Sequence, residues 1–267
     1  MRILIWNIHG ASGIRPSKQA EIVEAILSTN ADVLLLQEVP LRSGFLERLL
    51  PHGYAVSEPE RHPIGLWENK KKNAAAIASR LPMTEVVPPA GLRFPRLFSV
   101  AKIGHREFAS CHIPNASGFN SVARRLGFTP DIKVTHLDQA LAWLRGSPSR
   151  VLAGDFNEPD FFRDGLAVGF AATRAADRSR QRGIVDGLLN STVIDHLCGK
   201  LHEKSGEPSH WIKSAPHPDR KGWFDHALST DRSAVWKATY LHDLRIARNS
   251  AGKERYSDHS PLLVSSE

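Results

Sequence analysis

Apolar residues along this chain recur in two rhythms. "RILIWNI" (residues 2–8) and "DVLLLQEV" (32–39) are short, nearly continuous apolar runs, the pattern of strands buried on both faces. Between them, "SKQAEIVEAILST" (17–29) places Ile22, Val23, Ile26 and Leu27 at helical spacing, which predicts a helix with Ser17 as its cap. A short helix is expected around "SGFLERLL" (43–50), and a strand over "NAAAIASRLP" (73–82) ended by Pro82. "LFSVAKIG" and "REFASCHI" (97–113) have strand character and meet at Gly104 and His105, which predicts a hairpin. "PDIKVTHLDQALAWLRG" (130–146) predicts a second long helix, with Pro130 near its start and Gly146 just past its end. "RVLAGDFN" (150–157) is another buried strand, and "GWFDHALST" (222–230) and "SPLLVSS" (260–266) supply late ones.

Strands and helices alternate, yet several neighbouring strands leave no room for a crossover helix. That mixture predicts an α/β fold with two mixed β-sheets packed face to face and helices outside. No Gly/Ser-rich linker, low-complexity tract or fixed-period repeat divides the 267 residues, so a single domain over 1–267 is expected. An apolar fraction of 41% and a charged fraction of 24% are ordinary for a globular protein with a substantial core. Cys111 and Cys198 are the only cysteines, which excludes a disulfide framework or a Cys-rich zinc module. The first apolar run is too short for a secretory leader, and no stretch approaches the roughly 20 residues of a membrane span. A monomeric, cytoplasmic protein without membrane contact is the expectation. The net charge of +7 favours polyanionic or phosphorylated partners.

Chemistry concentrates where apolar runs stop. Asn7 and His9 end the first strand, Gln37 and Glu38 the second, His112 and Asn115 follow "FASC", and Asp155 and Asn157 follow "VLAG". Asp225 lies inside "WFDHAL", and Asp258 and His259 precede "SPLLV". Each has a plain structural explanation: Asn7 and Asn157 as turn residues, Glu38 as a solvated strand end, His112 as a core histidine. Six strand ends repeating carboxylate, amide and imidazole are harder to explain that way. Carboxylate and amide oxygens are hard ligands suited to Mg²⁺. A His paired with an Asp is a proton-handling group of fixed tautomer.

"WNIHG", "LQEV", "HIPN", "GDFN", "FDHALS" and "SDHSP", in that order, resemble the endonuclease/exonuclease/phosphatase superfamily, the deoxyribonuclease I-like fold, from residue 3 to about residue 264. The resemblance implies a four-layered α/β sandwich and divalent-metal-dependent phosphoester hydrolysis. By position it implies Glu38 as principal metal ligand, with Asn7 and Asp258 near the same Mg²⁺ (or Mn²⁺) ion. It implies Asp155 as the acid that orients or deprotonates water or binds a second metal, and Asn157 and Asn115 as phosphate-contacting amides. Asp225 matches the partner of a catalytic His259, and His112 a phosphate-side histidine. His9 and His112 stand where the abasic-site branch carries Asp and Tyr, so that branch is disfavoured.

Basic segments with aromatics could border the substrate: Trp67 with Lys70, Lys71 and Lys72; Arg174, Arg178, Arg180 and Arg182; and Arg220, Lys221 and Trp223 just ahead of Asp225. Lysine runs in loops are commonly just solvated, whereas the 220–223 stretch adjoins a site residue and is expected to touch substrate. A nuclease acting on DNA or RNA is the leading expectation. The alternatives are a phosphatase or phosphodiesterase of a small phosphorylated molecule (a nucleotide, inositol phosphate or lipid head group) and a non-catalytic binding protein on the same scaffold.

Overall fold

The computed structural model describes residues 1–8, 16–41, 43–59, 73–92, 94–113, 130–157, 191–197, 210–214, 217–222, 225–246, 257 and 259–267; at 16, 130–133, 210–214, 217–222 and 245–246 this is the backbone alone. The strands are β1 (Arg2–Asn7), β2 (Val33–Pro40), β3 (Ala55–Val56), β4 (Asn73–Ser79), β5 (Met83–Val86), β6 (Phe98–Ile103), β7 (Arg106–His112), β8 (Arg150–Asp155), β9 (Asp195–His196), β10 (His210–Ser214), β11 (His217–Gly222), β12 (Asp225–Ser229), β13 (Trp236–Tyr240) and β14 (Leu262–Ser266). Among the described residues the helices are α1 (Pro16–Ser28), α2 (Pro130–Arg145) and α3 (His242–Ile246), with 3-10 turns at Leu46–His52 and Pro95–Leu97.

Two six-stranded sheets result. The first runs β13-β14-β1-β2-β4-β3 and the second β5-β6-β7-β8-β12-β9, while among the described residues β10 and β11 pair only with each other. Each large sheet contains one parallel pair at its centre, β1 with β2 and β7 with β8, and is otherwise antiparallel. A parallel pair needs a crossover connection. The chain between β1 and β2 contains α1, and that between β7 and β8 contains α2.

Three apolar layers explain why the central strands are apolar on both faces. Ile3, Ile5, Leu35 and Ile77 of the first sheet meet Phe108, Val151, Ala153 and Ala227 of the second between the sheets. Ile22, Val23 and Ile26 of α1 cover Leu4, Trp6, Leu34 and Leu36 on the outer face of the first sheet. Leu137, Leu141 and Leu144 of α2 cover Val100, Ala109, Cys111 and Leu152 on the outer face of the second. At about 1.5–3 kcal/mol for each large aliphatic side chain withdrawn from water, these layers dominate the favourable side of folding. The architecture is the four-layered α/β sandwich expected.

Several local expectations are corrected. Ser17 lies in the first turn of α1 rather than capping it, because Pro16, with its preset φ, begins the helix. The helix expected at 43–50 is a 3-10 segment from Leu46. The stretch containing Arg220 and Lys221, for which no strand was expected, forms β11 paired with β10. β3, β5, β9, β10 and β13 were not anticipated; β5 and β13 are mostly half-buried or exposed and lack the continuous apolar run of a central strand.

Gly154 shows how closely β7 and β8 approach. Its φ is +148°, and a Cβ at this position would lie 1.9 Å from the backbone oxygen of Cys111. Backbone cannot yield as a flexible side chain can, so Gly154→Ala is expected to destabilise the fold by about 3 kcal/mol or more. Urea unfolding followed by circular dichroism checks this; a loss below about 1 kcal/mol would show that the strands can separate at no great cost.

Candidate active site

Strand direction decides where the polar residues gather. The parallel strands β1, β2, β7 and β8 deliver Asn7, Glu38, His112 and Asp155 at or near their C-terminal ends. β12 runs antiparallel to β8 and β14 antiparallel to β1, so Asp225, the first residue of β12, and His259, just ahead of β14, arrive at that same end by starting their strands. In register, His112 lies opposite Asp155, and Asp155 opposite Asp225. The first sheet therefore contributes Asn7, Glu38 and His259, and the second His112, Asp155, Asn157 and Asp225.

Asp155 is the hub. Its Oδ2 accepts from Asn7 Nδ2 at 2.9 Å and from Asn157 Nδ2 at 3.3 Å, and its Oδ1 accepts from the Asn157 backbone N–H at 2.8 Å. His112 Nε2 stands 3.7 Å and His259 Nε2 3.8 Å from the same Oδ2. Burial pushes the Asp155 carboxyl above the ordinary carboxylate range and the Asp225 charge adds to this, against the pull of His259, His112 and the Asn157 N–H. Asp155 and Asn157 do form a local turn, as such residues often do at strand ends, but its oxygens also face two imidazoles.

His259 and Asp225 form a dyad. The ring Nδ1 lies 2.9 Å from Asp225 Oδ2 and 3.1 Å from Oδ1, and both residues are buried. An ionised carboxylate only accepts, so Nδ1 carries the proton and Nε2 faces Asp155. The dyad is held from behind. Ser257 Oγ donates to the Asn7 carbonyl at 2.6 Å and accepts from the His259 N–H at 3.1 Å; Trp6 Nε1 donates to the His259 carbonyl at 3.1 Å; and the Tyr240 hydroxyl donates to the Asp225 carbonyl at 2.7 Å.

Glu38 occupies a distorted position. The pairing of β2 with β4 slips between Leu36 and Val39, and Glu38 adopts φ +52° inside that bulge. A left-handed backbone is costly for a residue with a Cβ and is characteristic of sites where function fixes the geometry. Oε1 accepts from Asn7 Nδ2 at 3.4 Å and lies 3.9 Å from His112 Nε2, while Oε2 accepts from Asn73 Nδ2 at 3.3 Å. His112 Nε2 is 3.3 Å from Asn157 Nδ2. An amide NH₂ only donates, which makes this ring nitrogen an acceptor in that contact.

Gln37, adjacent to Glu38, has a structural role, since its Nε2 donates to Ser110 Oγ at 2.9 Å across the gap between the sheets. Asn73, Ser257, Trp6 and Tyr240 were not anticipated as supports of the site. Ser257 was within reach as part of "SDHSP", but Asn73 follows three lysines that dominate the character of that segment. His9, Asn115, Trp223 and Asp258 lie outside the described residues, as do Trp67, Lys70, Lys71, Lys72 and the arginines of 174–182. Arg220 and Lys221 sit at β11 positions opposite Ile212 and Trp211, where the backbone alone is described.

Among the described residues, ligand atoms of Asp155, Asp225 and His259 lie within 4.8 Å of one another, a group able to hold a metal ion. Asp225 is engaged with His259 through both oxygens, however, so of these atoms Asp155 Oδ2 and His259 Nε2 are the ones that face the site. Glu38 Oε1 adds a hard carboxylate oxygen beside Asp155, with the Asn7 NH₂ donating to both acids, and carboxylate oxygens fit Mg²⁺ or Mn²⁺.

The chain is similar to several known proteins. The sequence model described as the Endonuclease/Exonuclease/phosphatase family matches residues 4–259. An AP endonuclease from Archaeoglobus fulgidus is 19% identical with a TM-score of 0.70, covering 100% of this chain and 99% of that one. The 3' phosphatase NExo from Neisseria, bound to a product DNA hairpin, is 16% identical with a TM-score of 0.69, covering 100% and 99%. TDP2 from D. rerio, complexed with single strand DNA product, is 14% identical with a TM-score of 0.61, covering 100% and 98%. No curated protein matches the chain.

The raised Asp155 pKa sets a pH dependence. Folding favours the protonated carboxyl, so its contribution is fully present below the ordinary value of 3.8 and is lost as pH rises through the higher folded value. In EDTA, Asp155→Asn is therefore expected to melt above wild type near neutral pH, with the difference closing toward about pH 4. Thermal melts across that range check it; a variant that melts below wild type throughout would show that the ionised carboxylate is net stabilising.

Proposed function

The chain belongs to the Endonuclease/Exonuclease/phosphatase family, and on that premise we propose that it is a divalent-metal-dependent phosphoester hydrolase, a nuclease that cleaves phosphodiester bonds of DNA or RNA. The observation that carries this reading is the His259–Asp225 dyad facing Asp155 Oδ2 at 3.8 Å, with Glu38 and Asn7 alongside. A phosphodiester is anionic and repels hydroxide, so hydrolysis needs charge neutralisation, a positioned water and donors that strengthen as charge builds on phosphorus.

Asp155 is the acceptor for a water proton in this reading. It is buried, its pKa is raised toward the range of a useful base, and its lone pairs are already directed by Asn7 and Asn157. His259 presents Nε2 to the phosphate, and Asp225 at Nδ1 stabilises the ring when it is protonated, so that it can donate to a non-bridging oxygen. Asn157 and His112 line the other side of the same carboxylate and supply phosphate contacts, with Asn115 completing the set. Glu38, Asn7 and Asp258 would hold Mg²⁺ or Mn²⁺, which supplies neutralisation of phosphate and leaving-group charge when bound.

A polymer substrate is favoured by the basic balance and by β11. Gly222 precedes Asp225 by three residues, so at no more than ~3.6 Å per residue the Arg220–Lys221 backbone lies within a few phosphate spacings of the dyad. Trp223 falls between them. The product DNA bound to NExo and TDP2 is a property of those proteins and supports the same substrate class here. His9 and His112 in place of the Asp and Tyr of the abasic-site branch put this chain outside that branch in our reading; its likeness to the Archaeoglobus fulgidus enzyme is one of fold.

The test is product formation in Mg²⁺, with and without EDTA, from labelled single- and double-stranded DNA, RNA and a panel of small phosphomonoesters. EDTA-sensitive shortening of polymer is expected. Phosphate release from the small panel with polymers untouched would make the protein a phosphatase, and no turnover of either kind would make it a binding protein. His259→Ala is expected to cut the rate about 10²- to 10⁴-fold. Glu38→Asn tests the strained position separately. Asn tolerates left-handed backbone, so the melting temperature should stay at or above that of wild type while turnover falls by a comparable factor. Near wild-type turnover in Glu38→Asn would remove Glu38 from the site.

A further inference from the structure

The second sheet holds a pair of imidazoles that the active site does not use. His226 follows Asp225 on β12 and is buried, and its Nδ1 lies 3.3 Å from Nε2 of His196, the half-buried last residue of β9. Successive residues of a strand point to opposite faces. Asp225 reaches across to His259 and Ala227 packs between the sheets, so His226 lies on the other face of β12, on the side of Leu228 and away from the dyad. Its ring packs against those of Phe156 and His196, with centroids 5.4 Å away in both cases. Phe156, Ile194 and Leu228 belong to the apolar cluster of this face.

Two ring nitrogens that face each other are joined either by a proton or by a cation. An N–H donor usually stands about 2.7–3.2 Å from its acceptor, so the separation of 3.3 Å is long for a shared proton. Two nitrogens bound to one tetrahedral ion at about 2.0–2.1 Å stand about 3.3–3.4 Å apart, whereas neighbouring ligands of an octahedral ion at that distance stand about 2.8–3.0 Å apart. We propose that His196 and His226 form a metal site separate from the active site, which takes a tetrahedrally coordinated transition ion such as Zn²⁺ through His196 Nε2 and His226 Nδ1. Among the described residues no third acidic, cysteine or histidine ligand joins them, so water fills the remaining positions. Both rings bind as neutral imidazoles. The proton between them moves to the other nitrogen of the ring that carried it, and none is lost. Imidazole suits Zn²⁺ whereas Mg²⁺ takes oxygen ligands, so this pair and the acids of the active site select different ions. β9 is paired to β12 only at Leu228↔His196 and Ser229↔Asp195. An ion bridging the two histidines adds a cross-link between this short strand and the one that begins with Asp225.

Equilibrium dialysis of the full chain against Zn²⁺ in excess Mg²⁺ counts the ions bound, and the visible spectrum of Co²⁺ in place of Zn²⁺ reports the coordination geometry. Wild type is compared with His196→Asn, His226→Gln and His259→Ala, and circular dichroism confirms that each is folded. Wild type and His259→Ala are expected to bind one Zn²⁺ more per chain than either variant of the pair, and to give the intense spectrum of tetrahedral Co²⁺. Zn²⁺ should raise the melting temperature of wild type and lose that effect in the pair variants, because an ion that binds only the folded state stabilises it. An equal Zn²⁺ count in wild type and both pair variants, or an octahedral Co²⁺ spectrum, leaves the contact an ordinary N–H···N bond and overturns the proposal. Loss of the ion in His259→Ala with retention in the pair variants assigns it to the active site and overturns the proposal equally. His196 is only half-buried, so His196→Asn keeps the comparison decisive where His226→Gln does not fold.

Discussion

The Asn7 side chain donates to Asp155 across the gap between the two sheets, and the same amide nitrogen lies within reach of Glu38 in its own sheet. Two acids from different sheets are thereby brought against one NH₂ group in a setting where water is scarce. A buried, ionised carboxylate is costly unless its lone pairs are used, and here the amides of Asn7 and Asn157 use those of Asp155. The cost that remains appears as the raised Asp155 pKa. The His259–Asp225 dyad is a second link of the same kind, with the histidine ahead of a strand in the first sheet and the acid at the start of one in the second. The site thus depends on the sheets being stacked in register at this end. The apolar layer of Ile3, Ile5, Leu35, Phe108, Val151 and Ala153 between them is what maintains that stacking.

Backbone irregularity is concentrated around these residues. Glu38 and Asn157 both have positive φ, and Gly154 approaches β7 so closely that no side chain could replace its hydrogen. Local propensity and functional placement disagree at such points, and the regular strands around them hold the unfavourable conformations. The bulge at Glu38 exemplifies this. It interrupts a ladder that is otherwise continuous from Val33↔Ser79 to Leu36↔Ala76, and the interruption turns a residue that would follow the alternation of the strand toward Asp155 and His112. The fold and the chemistry therefore meet in the backbone as well as in the side chains.

Much of this was legible along the chain because the central strands are buried on both faces. β1, β2, β4 and β8 are nearly continuous apolar runs, and α1 shows its buried Ile22, Val23 and Ile26 at helical spacing. The polar residues that close those runs could be picked out one by one: Asn7, Glu38, His112, Asp155 and Asn157. Edge strands were not legible. β5 and β13 are short, half-exposed and held by main-chain pairing, which leaves almost no trace in side-chain type.

What the sequence by itself determined is the inventory: which segments must be buried, and which acids, amides and imidazoles stand at their ends. What the tertiary structure alone decided is which ends come together. A strand reads the same in either direction, so nothing local says that Asp225 and His259 begin their strands at the end where Asn7 and Asp155 finish theirs. That follows from antiparallel pairing of β12 with β8 and of β14 with β1. Asn73 makes the same point on a smaller scale. Beside three lysines it is one more polar residue, and it becomes a partner of Glu38 because the β2 bulge carries that carboxylate across to it. Hydrophobic burial is encoded residue by residue, whereas the meeting of polar groups distant in the chain is a property of sheet register and direction.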